Sequence, residues 1–170
     1  RDRILTPDEI RELHAIFAKM EADYAAAQNR RSAARPVQKE TQLALWICLG
    51  TCCRIGELLQ ARWEHVNFGA AEWHVPAENT KTRAAWTVRL SDFALRQFQA
   101  LHELTGKTPW CFPARHKEGA PVCPKSVSKQ VGDRQERFKA RTLQLKNRRQ
   151  DNTLVLANGE RGEWTPHDLR

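Results

Sequence analysis

No apolar run in this chain is long enough to cross a bilayer; the longest, LALWICLG, falls far short of the roughly 20 residues a span needs. The opening residues lack the charged-then-apolar pattern of a secretory signal. The cysteines are poorly arranged for a disulfide framework. Five is an odd number and Cys52 and Cys53 are adjacent, which argues against a disulfide framework. The paired C-x-x-C spacing of a structural zinc site is missing, and Cys111, His116 and Cys123 make a poor substitute. Reduced, mostly buried thiols in a cytosolic protein fit better. Tyrosine occurs once, at Tyr24. There is no internal repeat and no second compositional regime, so one domain over residues 1–170, with a full hydrophobic core, is the expectation.

What the chain does carry is positive charge. Lys and Arg number 28 against 20 Asp and Glu, a net +8. A surplus of that size favours a polyanionic partner, most often nucleic acid, with solubility alone as the plainer alternative.

The pattern predicts helices around one small antiparallel sheet, an α+β fold that is mainly α. In LTPDEI, Thr6 caps a helix, Pro7 takes its first position and Glu9 completes a capping box. Ile10, Leu13, Phe17, Met20 and Tyr24 follow at helical spacing. A second helix, Gln38 to Leu49, is apolar on most sides and reads as a core helix ended by Gly50. Thr51 is expected to cap the next, CCRIGELLQARWEHV, with Ile55, Leu58, Leu59 and Trp63 inward. The period then changes to two: EWHVP and AWTVRL read as a hairpin joined by AENTKTRA, with VNF adding a short strand. Ser91 caps a helix with Leu95, Phe98, Leu101 and Leu104 inward and Gly106 at its end. KSVSKQVGDRQERFKAR is read as a helix despite Gly132, and Arg141 to Arg161 as a long mobile connection. In TPHDLR, Thr165, Pro166 and Asp168 repeat the capping pattern, so a helix opens there.

Several residues suit phosphate chemistry. With Thr51 as cap, Arg54 falls at the third helical position, where the helix dipole disfavours a cation by about 0.3–1 kcal/mol. It either reaches a phosphate oxygen beside free amides or pairs with Glu57 as structure. Lys81, in the hairpin loop, is either solvated or poised against a leaving oxygen. His167 and Arg170 share one side of the last helix's first turn. Two arginines, a histidine and a loop lysine describe a site for one phosphodiester. No cofactor is expected, since guanidiniums make a metal ion redundant there.

These residues resemble the tyrosine recombinases, or phage-type integrases. TCCRIGELLQARWEHVNF is similar to the family's first arginine box, Thr-Gly-x-Arg-x-x-Glu-Leu. NTKTRAAWTVRLS resembles its β-hairpin lysine segment, TPHDLR its His-x-x-Arg box, and RILTPDEI the start of its catalytic domain. Order and spacing match from about Ile4 to Arg170. The resemblance implies that Arg54 and Arg170 clamp the phosphate and that Lys81 is general acid for the 5′ oxygen. His167 assists proton transfer and Glu57 supports Arg54. Cys52 departs from the family's usual Gly.

The family's remaining boxes, a second His or Trp and the attacking tyrosine, come after His-x-x-Arg. They would therefore lie past Arg170, as would any C-terminal tail. Tyr24 sits among core-facing residues and is no candidate. The expectation is an incomplete catalytic domain, inactive alone, of an enzyme that integrates or excises a mobile element through a 3′-phosphotyrosyl intermediate. The resemblance further implies double-stranded attachment-site DNA as partner, a tetramer on DNA, a separate N-terminal DNA-binding domain, and a bacterial cytoplasmic, nucleoid-associated setting. Arg83, Lys125, Lys129, Arg134, Arg148 and Arg149 are the expected DNA-backbone contacts, against the alternative of a solvated charged face. The rival functions are type IB topoisomerase-like strand cutting and a DNA-binding remnant or regulator that cuts nothing.

Overall fold

The computed structural model describes residues 3–136, 151–157 and 162–170, which fall into two compact units. One is Arg1–Gln38 with Val127–Asp168; the other is Lys39–Ser126 with Leu169–Arg170. Five α-helices are described: α1 Pro7–Ala26, α2 Lys39–Thr51, α3 Ile55–Leu58, α4 Asp92–Thr105 and α5 Lys125–Gly132. One antiparallel sheet runs in the order β1 (Val66–Asn67), β2 (Glu72–Val75), β3 (Trp86–Arg89). The mainly helical α+β architecture is the one the sequence pattern predicts.

In the first unit, α1 starts at the predicted capping box. Thr6 Oγ1 accepts the Glu9 amide at 3.2 Å, and Glu9 Oε2 accepts the Thr6 amide at 2.8 Å. Glu9 is buried and its other oxygen meets Arg3 Nη2 at 2.5 Å. Burial pushes the Glu9 carboxyl up, but the bonds from Thr6 and Arg3 outweigh it and hold the group below its ordinary 4.5.

The segment read as a mobile connection is, where described, anchored instead. Leu154 and Leu156 are fully buried. Backbone bonds join Asp151 to Asp133 at 3.1 Å, Leu154 to Arg134 at 3.0 Å and Leu156 to Gly162 at 2.9 Å. The Gln135 side chain clamps the Trp164 backbone in both directions at 2.8 Å, and the Trp164 indole donates to the Leu154 carbonyl at 2.8 Å. Every polar group in that clamp is satisfied, as burial demands. Helix α5 stops at Gly132, well before the predicted Arg141. Glycine is a poor helix former, and Gln135 is committed to Trp164 rather than to a continuing helix.

In the second unit, α2 is buried on nearly all sides from Thr41 to Cys48 and packs along α4. Gly50 does not end α2, which runs on to Thr51. A Cβ at Gly50 would lie 3.0 Å from Phe93 Cδ1 and 3.2 Å from Ala94 Cβ, so the glycine permits close approach of the two helices. Ser91 caps α4 and Gly106 ends it as predicted. Leu104 was expected inward but is 53% exposed; Ala94, Phe98, Leu101 and Thr105 form the buried stripe. The sheet registers Trp73 against Val88 and Val75 against Trp86, and the Trp73 ring lies 5.7 Å from Phe98, joining the sheet to α4.

Two outcomes follow. Leu154→Ala, which empties a fully buried site, should cost about 2–5 kcal/mol in chemical unfolding; a loss within ±0.5 kcal/mol, the range of a surface change, would contradict the anchored segment. Glu9 has a folded pKa below its unfolded value. Its contribution is therefore complete above pH 4.5 and lost as pH falls through the lowered value. Unfolding of a Glu9→Gln variant should lack that part of the acid sensitivity.

Candidate phosphate-binding site

Arg54 and Glu57, of the site residues in the second unit, stand at the junction between α2 and α3. The predicted long helix after Thr51 does not form. Thr51 instead closes α2, its hydroxyl donating to the Ile47 carbonyl at 2.7 Å. Cys52 then adopts a left-handed backbone with φ of 55°, and the chain re-enters a single helical turn, α3, with Arg54 as its N-cap. Arg54 thus stands three positions earlier in its helix than expected. A left-handed step costs a side-chain-bearing residue about 1–2 kcal/mol, and no helix runs through one.

Glu57 fixes this turn. Its Oε2 accepts the Arg54 amide at 3.2 Å while its Oε1 accepts Arg54 Nη1 at 2.9 Å. The Glu57 side chain is 5% exposed and that of Arg54 is 43% exposed. The carboxylate is therefore spent inside the protein, whereas much of the guanidinium faces solvent. The ion pair with Glu57, one of the two roles open to Arg54, is present and leaves the guanidinium accessible.

Beneath the turn, Cys48 Sγ and Cys53 Sγ lie 3.9 Å apart. The hydrogen bond to Cys53 and then burial push the Cys48 thiol well above its ordinary range. The charge of Arg170 opposes that shift and the charge of Glu57 adds to it. Both groups consequently act on the same sulfur. Arg170, distant in sequence and exposed, is brought within electrostatic reach of Cys48 near the end of α2.

Lys81 is exposed in the β2–β3 loop. Thr80 closes the loop's base, its buried hydroxyl lying 3.0 Å from the Ala77 carbonyl and 3.1 Å from that of Ala84. Asn79 Nδ2 donates to the Gln60 carbonyl at 3.2 Å, which ties the loop to the residues just after α3. Arg83 is also exposed there, with a left-handed φ of 54°.

His167 belongs to the first unit. It is exposed on a 3-10 turn, Pro166–Leu169, where a helix was expected to open. The predicted cap is present: buried Asp168 Oδ2 accepts the Thr165 amide at 2.7 Å and its hydroxyl at 3.1 Å. Of the expected DNA contacts, Lys125 and Lys129 are exposed one turn apart on α5. Arg134 is not on the surface. It is buried and donates to the carbonyls of Gln130 at 3.0 Å and of Arg35 and Pro36 at 3.4 Å each, so its charge serves the packing of the first unit. Arg148 and Arg149 lie outside the described residues. Tyr24 is half-buried on α1, with the Arg30 guanidinium 5.9 Å from its ring.

A buried carboxylate holds the Arg54 turn, and Lys81 stands exposed on a hairpin loop that Asn79 ties to the residues after α3. The sequence pattern of the phage integrase family matches residues 3–170, and the chain belongs to that family. It is 36% identical over 86 residues to prophage integrase IntA of Escherichia coli strain K12, an alignment covering 51% of this chain and 21% of IntA. XerA recombinase superposes with a TM-score of 0.61 at 11% identity, over 98% of this chain and 46% of XerA. The Tn1549 transposon integrase, solved in complex with circular intermediate DNA, gives 0.53 at 14% identity, over 98% and 49%. At those identities the two structures attest the fold. The chain spans half or less of the length of these relatives.

Arg54 was expected at the third position of a long helix, and the left-handed turn that instead makes it an N-cap was missed. The signal was Cys52: a position that is glycine in the resembling motif is one where the backbone turns left-handed. Cys52→Gly should raise stability by about 0.5–1 kcal/mol, relief of strain exceeding the entropy glycine adds to the unfolded chain. A fall in the denaturation midpoint would contradict the left-handed turn. Glu57→Ala should cost about 1–3 kcal/mol by removing the amide acceptor and the partner of Arg54, and Glu57→Gln less, read in the same titration.

Proposed function

We propose that this chain is the phosphate-gripping part of a site-specific DNA recombinase that breaks and rejoins strands during integration or excision of a mobile element. The observation that carries the reading is the buried Glu57 carboxylate that fixes both the amide and the guanidinium of Arg54 while leaving that side chain 43% exposed. In this reading the half-exposed Arg54 and the exposed Arg170 would grip the two non-bridging oxygens of a phosphodiester and neutralise the charge that grows there in a pentavalent transition state. Lys81, an ammonium on a short closed loop, protonates the departing 5′ oxygen. His167 handles the proton on the attacking side. Glu57 holds Arg54 in place without touching DNA.

In this reading the attacking group is a tyrosine outside these 170 residues; Tyr24 is half-buried on α1, with the Arg30 guanidinium 5.9 Å from its ring. Attack by a phenolic oxygen forms a 3′-phosphotyrosyl bond and frees the 5′ hydroxyl. That bond conserves the energy needed to rejoin strands, so no nucleotide cofactor is consumed. Four copies assembled on two duplexes would exchange strands, and double-stranded DNA is the partner to which the net charge of +8 is directed. Lys125, Lys129 and Arg83 contact the backbone in this reading.

Two measurements test it. The 170-residue chain, incubated with a nicked attachment-site duplex, should yield no covalent protein–DNA adduct; an adduct would show that an internal residue is the nucleophile. Affinity of the chain for duplex DNA should fall steeply with salt, and Arg54→Ala should weaken it modestly while lowering the slope of log K against log[salt] by about 1. A flat salt dependence, or an unchanged slope in the variant, would remove Arg54 from the phosphate.

A further inference from the structure

We propose that Cys48 and Cys53 are a redox-active dithiol that a hydroperoxide-class oxidant closes into a disulfide, and that closure disturbs the backbone presenting Arg54. The effect on DNA rests on the proposed role of Arg54; the formation of the disulfide does not.

Three observations point to the pair. The two sulfurs are in contact at 3.9 Å, and a bond of about 2.05 Å requires an approach of roughly 1.9 Å, within reach of side-chain rotation and a small backbone shift. The two residues also sit at either end of one short reversal. Cys48 lies in the last turn of α2, its carbonyl accepting the Cys52 amide at 2.9 Å, and Cys53 immediately precedes Arg54. Finally, the connection between them carries backbone strain and a long hydrogen bond. Cys52 is exposed in a left-handed conformation, and the Cys53 amide reaches Thr51 Oγ1 at a long 3.4 Å. Both thiols are buried, so oxidation waits on local opening, and a strained reversal opens at a lower cost than the helices beside it. The remaining cysteines differ. Cys111 is buried, and Cys52 and Cys123 are exposed; none of the three has a described sulfur partner.

Either sulfur can donate in the contact; the bond with Cys48, foremost, holds the Cys53 thiol lower against burial. Cys53 therefore attacks first. Its thiolate takes an oxygen from the hydroperoxide; the O–O bond breaks, leaving a sulfenic acid and releasing an alcohol, or water when the oxidant is hydrogen peroxide. The Cys48 sulfur then attacks the Cys53 sulfur, the S–S bond forms and water leaves. Two thiols lose two protons and two electrons, and the hydroperoxide gains them. Cys48 is fixed in α2, so Cys53 makes the larger move. The Arg54 amide, held to Glu57 Oε2 at 3.2 Å, is pulled with it.

The test treats the full chain with hydrogen peroxide, quenches with an alkylating agent and maps cross-linked peptides by mass spectrometry. The expected product joins Cys48 to Cys53, lacks two hydrogens and reverts with dithiothreitol. It should form equally in a Cys52→Ala, Cys123→Ala double variant and not in Cys53→Ser. In the oxidised chain, the amides of residues 54–58 should exchange with deuterium about 10-fold faster or more, and affinity for duplex DNA should fall several-fold. Oxidation confined to Cys52 and Cys123, with Cys48 and Cys53 still alkylated after unfolding, would overturn the dithiol. A disulfide that leaves exchange at residues 54–58 unchanged would overturn its coupling to Arg54. Faster exchange with unaltered DNA affinity would uphold the dithiol and its coupling while overturning the role of Arg54 at DNA.

Discussion

The carboxylate of Glu57 has two oxygens and spends both on one residue, one on the amide of Arg54 and one on its guanidinium. Backbone and side chain of that arginine are therefore fixed by a single buried group, and the surrounding structure follows from the need to place it. Helix α2 must stop at Thr51 so that the chain can reverse; Cys52 supplies the reversal at the cost of a left-handed conformation. The turn that results is too short to stand alone. It is supported from below by α2, which is buried on nearly all sides, and by α4, which packs against α2 through the gap Gly50 leaves.

Electrostatics makes the placement productive. A guanidinium paired on one edge and open on the other keeps its charge aimed at solvent while losing little freedom when an anion arrives. The charge of Arg170 reaches Cys48, where it opposes the charge of Glu57. Lys81 stands on a loop whose base is closed by one hydroxyl, so its reach is set by Thr80 and Asn79. The same economy makes the site sensitive: whatever moves the α2–α3 reversal moves Arg54.

Most of the elements were legible because their signals are local. The caps at Thr6, Ser91 and Thr165 rest on a hydroxyl and, at two of them, an acid three residues on. The hairpin rests on alternation that survives in its register. What escaped depended on partners far along the chain. Leu154 and Leu156 lie in a polar stretch with no period, and only the clamp between Gln135 and Trp164 explains their burial. Arg134 read as one more surface cation because nothing in its neighbourhood announces the carbonyls of Arg35 and Pro36. The break before Arg54 was hidden by a cysteine where a glycine would have marked it. At the candidate site, the pairing of Arg54 with Glu57 was one of two readings the sequence left open, whereas the left-handed turn that makes Arg54 an N-cap was not legible.

The account turns on where a phosphate sits. A structure of this chain bound to a duplex carrying a single nick would decide it. The account predicts one phosphate within hydrogen-bond distance of both the Arg54 and Arg170 guanidiniums, with the Lys81 ammonium at its 5′ oxygen. DNA held on another face, with Arg54 turned only to Glu57, would contradict it and leave the ion pair as packing.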